Sequence, residues 1–165
     1  MPEMSPATAL LFLREEELRQ GYELLFLAFR DLDADVDALL AELDLGRGHH
    51  RAVHFIGRAG HCPVSELQTT LGITLQSLGR LLHELVERGL VQQRPGPEDR
   101  RQRILSLTDS GKALEKQLWE RQRGRIAQAY RESGPQAVEG FRRVLTALGQ
   151  RPDPRRTGGG PELRR

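Results

Sequence analysis

Cysteine is nearly absent: one residue, Cys62, in a chain of 165. That excludes an intramolecular disulfide and fits a reducing compartment. Aromatic residues are sparse as well, with one Trp, two Tyr and five Phe, so leucine must supply most of the buried surface. Long apolar runs are missing. Runs such as Ala9 to Leu13 fall far short of the roughly 20 residues that cross a bilayer. The first residues bring acid and proline, not a basic start before a cleavable apolar stretch, so a cytoplasmic protein is expected. Internal repeats are absent, and Gly158-Gly159-Gly160 is followed by Pro161-Glu162-Leu163, not by the Lys-Ser or Lys-Thr of a phosphate loop. At this length one domain is the default.

A large charge imbalance is also lacking, since the formal net charge is +2. The distribution is more informative. Residues 14–44 carry net −7, residues 46–111 net +3 and residues 112–165 net +7. The acidic front argues that the first helix does not lie on phosphates.

What is present is helical periodicity. Leu18, Tyr22, Leu25, Phe29, Leu32, Val36, Leu39 and Leu43 recur at steps of three and four, one apolar stripe of about seven turns. Phe26 and Leu40 widen it. Such a helix needs one surface from its own domain and another from elsewhere, and a partner subunit is the economical source. A bent helix, or two helices split near Asp31, fits the pattern equally. Asp31, Asp33, Asp35 and Asp37, at spacing two, spread around the helix as a solvated face and form no catalytic pair.

Gly46 and Gly48 mark a break before a short helix containing Arg51 to Ile56 and ending between Gly57 and Gly60. Pro63 falls in a loop, and Ser65 to Leu71 forms the next helix. Thr74 caps a fourth helix, with Leu78, Leu81, Leu82 and Leu85 on its buried face, Gly79 as a costly interior residue and Gly89 at its C-terminal cap. Leu90 to Arg94 and Arg103 to Leu107 read as two strands around the loop from Pro95 to Arg101. Thr108 caps a helix reaching about Arg131. Gly134-Pro135 breaks it, and Gln136 to Leu148 forms the last helix. Residues 150–165 read as a flexible basic tail.

The order helix, turn, helix, charged two-stranded wing builds a surface suited to duplex DNA. The segments Leu85-Val86-Glu87-Arg88-Gly89-Leu90-Val91, Arg94-Pro95, Glu98-Asp99-Arg100-Arg101 and Leu105-Ser106-Leu107-Thr108-Asp109-Ser110-Gly111 resemble the MarR-type winged helix-turn-helix regulators. Val64-Ser65-Glu66-Leu67 and Leu71-Gly72-Ile73 look like the same family. The fold class expected is mainly α with a small β-hairpin wing, a winged helix-turn-helix with long N- and C-terminal dimerisation helices. Residues 7–45 and 112–149 would be the helical dimerisation regions, and residues 46–111 the DNA-binding lobe. The resemblance implies a homodimer on a palindromic operator, with Thr74 to Arg88 as recognition helix and Asp99 and Arg101 in the wing. It also implies a small organic effector between body and lobe that lowers DNA affinity. His49-His50 and Gly79 depart from the family pattern.

Candidate DNA contacts follow from chemistry. Gln76 can pair with adenine and Arg80 with guanine, while Ser77 can meet phosphate or a base edge. His83 lies further along the helix, toward the DNA backbone. Arg100, Arg101 and Arg103 can place a guanidinium in a narrow minor groove, with Arg100 favoured at the tip. Asp99 would hold Arg101 by a salt-bridged hydrogen bond. The plain alternative for both elements is a solvated charged surface.

Phe26, Phe29, His50 and His54 are candidates for a ligand pocket, though core packing explains the aromatics equally well. His50 and His54, spaced i,i+4, could face a metal, but no acid or thiol nearby completes a set, and surface or pocket-lining histidines are preferred. No metal or cofactor is expected. Cys62 beside His61 reads as a structural cysteine, with a redox sensor as the lesser alternative. No catalytic site is assembled, so the chain reads as a regulator and not an enzyme. The competing reading is a protein-interaction module on the same fold.

Overall fold

The computed structural model describes residues 11–149. The tail expected at 150–165 lies outside the described residues. After a 3₁₀ turn at Leu11–Leu13 come α1 (Glu15–Glu42), α2 (Arg47–Ala59), β1 (Cys62–Pro63), α3 (Val64–Leu71), α4 (Leu75–Glu87), β2 (Val91–Pro95), β3 (Arg103–Leu107) and α5 (Asp109–Gly149). The described residues divide into two compact units, the first ending at Arg123 and the second beginning at Gly124.

In the first unit α1 is one unbroken helix, which rules out a split near Asp31. Its second half packs inward, burying Val36, Leu39 and Leu40. These join Leu45, Leu114 and Leu118 in one apolar cluster. A second, larger cluster holds the lobe together: Val53 and Ile56 of α2, Leu67 of α3, Leu78, Leu82 and Leu85 of α4, and Val91, Leu105 and Leu107 of the hairpin. Each fully buried Leu or Ile contributes roughly 1.5–3 kcal/mol. Leu90 packs against both clusters and ties them together.

Two local expectations are corrected. Gly48 does not break the chain but lies inside α2, with Gly46 as its N-cap. A Cβ on Gly48 would stand 3.1 Å from a Leu81 methyl, so glycine here admits close packing of α2 on α4. Cys62 and Pro63 are not loop. They pair antiparallel with Leu105 and Ile104 as a third strand, giving the sheet order β1-β3-β2. Two residues are too few to show an alternating pattern.

The acidic face of α1 is corrected as well. Asp33 is buried, not solvated, and accepts from Arg51 at 3.0 Å, with Arg47 at 3.5 Å. Arg47 also grips Asp37 with two hydrogen bonds of 2.9 and 2.6 Å. That pairing holds the Asp37 carboxyl below its usual range, the Arg47 hydrogen bond being the main cause. One turn separates the partners on each helix, so both pairs form together and fasten α2 to α1.

In the second unit the helix is interrupted at Gly134, whose φ of 77° and ψ of 167° are not helical, as the Gly-Pro pair predicts. Arg142 lies over the Tyr130 ring, 5.8 Å from its centroid.

Candidate nucleic-acid interface

The presentation of α4 begins with its cap. The Ser77 N–H donates to Thr74 Oγ1 at 3.2 Å, and the Thr74 hydroxyl donates to Ser77 Oγ at 2.9 Å. This satisfies a first-turn amide and fixes where the helix starts. At the other end Gly89 takes a φ of 65°, the left-handed turn that stops the helix. With Leu78, Leu82 and Leu85 buried, the 3.6-residue repeat turns Gln76, Arg80 and His83 outward. All three are exposed, and Ser77 is half-buried at the flank. His83 is paired with Glu87 one turn on, at 3.3 Å. Among the described residues nothing beyond its own helix backbone lies within 4 Å of where a Gly79 Cβ would be, so no close packing there accounts for it.

The wing is a regular antiparallel hairpin, with Val91 opposite Leu107 and Pro95 opposite Arg103. Its loop is closed by the Gly96 N–H donating to the Gln102 carbonyl at 2.8 Å and the Gln102 N–H donating to the Asp99 carbonyl at 3.0 Å. Asp99 supports the wing through the main chain. Its Oδ1 accepts the Arg101 backbone N–H at 2.9 Å, where the sequence suggested a bond to the guanidinium. A short carboxylate two residues upstream reaches the backbone more readily than a long side chain, and the bond shapes the turn. Arg100, Arg101 and Arg103 are exposed. Helix α4 and the wing both rest on the larger apolar cluster, so both stand on a preformed core.

The four pocket candidates have different surroundings. Phe26 and Phe29 are 59 % and 55 % exposed on α1, and Arg51 lies over Phe29 at 5.3 Å. His50 is buried, and its Nδ1 has no hydrogen-bond partner among the described residues. His54 meets Glu115 at 3.2 Å and lies beside Trp119, with ring centroids 6.1 Å apart. These three line a groove of about 560 Å³ together with Gly57 and Arg58. Glu115 is the acid that the histidines lacked in sequence, contributed by α5. Among the described residues no three His, Cys, Asp or Glu side chains converge on a metal-sized site. Cys62 is buried in the sheet, and burial pushes its thiol up, away from the reactive thiolate.

Burial lowers the pKa of His50, and His54 and Arg51 add to the effect, while Asp33 and Glu115 oppose it. The folded state therefore binds this proton less tightly than the unfolded chain, whose imidazole titrates near 6.5. The stability contributed by neutral His50 is fully present above that value and is lost as the pH falls below it toward the lowered folded pKa. Urea denaturation from pH ~7 to ~5 should show a steeper loss for the wild type than for His50→Leu. Parallel curves for the two proteins would contradict this account of the buried imidazole.

The α2–α3–α4 helices followed by the β2–β3 hairpin, with β1 completing the sheet, define a winged helix-turn-helix protein. The MarR family model matches residues 43–102. Over 139 residues, 84 % of this chain and 84 % of the relative, the sequence is 51 % identical to the HTH-type transcriptional regulator PetP of Rhodobacter capsulatus. The chain belongs to the MarR family of helix-turn-helix transcriptional regulators. It is also 28 % identical over 98 residues to the multiple antibiotic resistance protein MarR of Salmonella typhimurium, covering 59 % of this chain and 68 % of that protein. Among solved structures, a MarR-family regulator from Silicibacter pomeroyi shares the fold at TM-score 0.67 and 20 % identity, covering 78 % of this chain and 86 % of that one. A mutant MarR from E. coli complexed with operator DNA shares it at TM-score 0.61 and 24 % identity, covering 84 % and 98 %. Among the described residues no helix is long and apolar enough to cross a membrane.

Two residues of this region escaped the sequence reading. Arg88 and Glu84 lie on α4 or at its end, yet both bond to the corner between α1 and α2. Their partners are 45 and 35 positions away, and no local pattern announces them.

Proposed function

We propose that this protein is a homodimeric repressor that binds double-stranded DNA at a palindromic operator and is released by a small organic effector. The observation that carries the reading is the pairing of an outward Gln76–Arg80–His83 ridge with the Arg100–Arg103 wing on one rigid core. Gln76 and Arg80 read base edges in the major groove. Ser77 and the α4 N-terminus bind phosphate, favoured by the helix dipole. The wing arginines reach the minor groove alongside.

Dimerisation is supported by apolar side chains that their own unit leaves open. On α1 these include Leu18, Tyr22, Phe26 and Phe29, between 52 % and 72 % exposed. In the second unit Phe141, Val144 and Leu148 stand 46–65 % exposed. A monomer does not retain so much exposed apolar surface without a use for it. We assign the effector to the groove of His54, Arg58, Glu115 and Trp119, which offers an aromatic wall, a cation and a carboxylate to a small organic molecule.

The test is fluorescence anisotropy on duplex from the gene's own upstream region and on a scrambled duplex of equal length. Selective binding is expected, with affinity falling on the order of a thousandfold between about 50 and about 200 mM salt as phosphate counterions are released. Equal binding to both duplexes at every salt concentration would refute specific recognition.

A further inference from the structure

Apolar packing sets the depth of α4 in the lobe, but two polar ties on its flank set its direction. The first runs through His49. Its Nδ1 accepts the Gly46 N–H at 3.0 Å, which places the ring proton on Nε2, and Nε2 lies 2.9 Å from Glu84 Oε2. Neutral His49 thus donates to the recognition helix while holding the N-cap of its own helix. The second tie is Arg88, just past the end of α4. Its guanidinium donates to the Leu43 carbonyl at 2.7 Å and the Asp44 carbonyl at 3.0 Å, with the Asp44 carboxylate at 3.3 Å. Leu43 is the C-cap of α1, and Asp44 holds a φ of 51°, unusual for a residue with a side chain. Arg88 therefore satisfies carbonyls that the end of α1 leaves without helical partners, with a cation where the helix dipole favours one.

We propose that Glu84 and Arg88 are positioning residues that aim the recognition helix by clamping it to the α1–α2 corner, and that neither touches DNA. This rests on α4 being the DNA-reading helix. Two other roles are open to charged residues at this end of α4, Arg88 as a phosphate contact and Glu84 as a like charge that weakens binding. The geometry opposes both, because each side chain is committed to the corner on the flank facing α2 and α1. A change at the end of α1, where the dimerisation helix begins to pack, would reach α4 through these ties.

Charge-matched pairs separate positioning from charge. Glu84→Gln keeps an acceptor for His49 Nε2–H, and Glu84→Ala removes it, while both delete the same charge. Arg88→Lys keeps the charge but cannot fork across two carbonyls, and Arg88→Ala loses both. The readout is selectivity, the affinity for the specific duplex divided by that for the scrambled one. Glu84→Gln should stay within about threefold of wild type, and Glu84→Ala should lose about tenfold or more, with non-specific affinity changed equally in the two. Arg88→Lys should lose selectivity about as far as Arg88→Ala and keep its non-specific affinity.

Equal selectivity in the two Glu84 variants, or full selectivity in Arg88→Lys, overturns the proposal. If the wild-type protein shows no selectivity, the DNA reading fails, and hydrogen exchange judges the clamp by itself. The Gly46 amide should then exchange about tenfold faster in Glu84→Ala than in Glu84→Gln. Equal exchange in both means that no clamp exists.

Discussion

Alanine at Gly111 should destabilise the protein by at least about 3 kcal/mol, although it adds one methyl group to the first turn of a helix. A Cβ at that position would fall inside the van der Waals envelope of the Leu90 carbonyl oxygen, and 3.3 Å from the Leu107 Cβ. The obstacle is backbone, not the tip of a mobile side chain. That carbonyl is also pinned, because it accepts the Thr108 N–H at 3.1 Å, while Leu90's own N–H donates to Leu85 at 2.9 Å. Relief would need the α4–β2 turn to separate from the start of α5, and Leu90 is the residue that packs against both apolar clusters. The control is Gly124→Ala, where nothing lies within 4 Å of the added atom. That exchange should be neutral or stabilise by up to about 1 kcal/mol, since alanine is the better helix former. Thermal or urea denaturation of the two variants decides. Similar midpoints would mean that the Leu90–Gly111 approach yields at little cost.

Gly111 also shows where sequence reading stops. The run Leu105 to Gly111 is visible as a motif, and Thr108 as a cap, because capping is local: the Gly111 N–H donates to Thr108 Oγ1 at 3.0 Å. Thr74, Gly89 and the hairpin are visible for the same reason, since each depends on residues a few positions apart. The closeness of Gly111 to Leu90 depends on how two elements pack, which no local pattern records. Asp33 shows the same limit. Four aspartates at spacing two look like a solvated face, and only the docking of α2 decides that one of them is buried against Arg51. The clamp at Glu84 and Arg88 is a third case. It needs the α1–α2 corner, whose residues precede it by 35 to 45 positions. By contrast, the outward residues of α4 were legible at once, because burying three leucines fixes the opposite face of a helix.

Those outward residues carry the other large effect. Arg80→Ala should abolish most discrimination between the specific and the scrambled duplex and leave much of the non-specific binding intact. A bidentate arginine–guanine pair contributes about 1–3 kcal/mol of base discrimination. In a homodimer the substitution strikes both half-sites, which are far enough apart to add, so the loss approaches about 2–6 kcal/mol, thirtyfold or more. Arg80→Lys is the sharper comparison. It keeps the charge near the phosphates but loses the planar fork, so it should resemble Arg80→Ala in selectivity and wild type in salt dependence. Neither change should alter the melting midpoint appreciably, because Arg80 is exposed and opposite the buried leucines of α4. If both variants keep full selectivity, Arg80 reads no base, and recognition must then rest on Gln76, on the wing, or on the deformability of the DNA itself. A uniform loss on both duplexes with a salt slope lower by about two, one for each half-site, would instead place Arg80 on a phosphate.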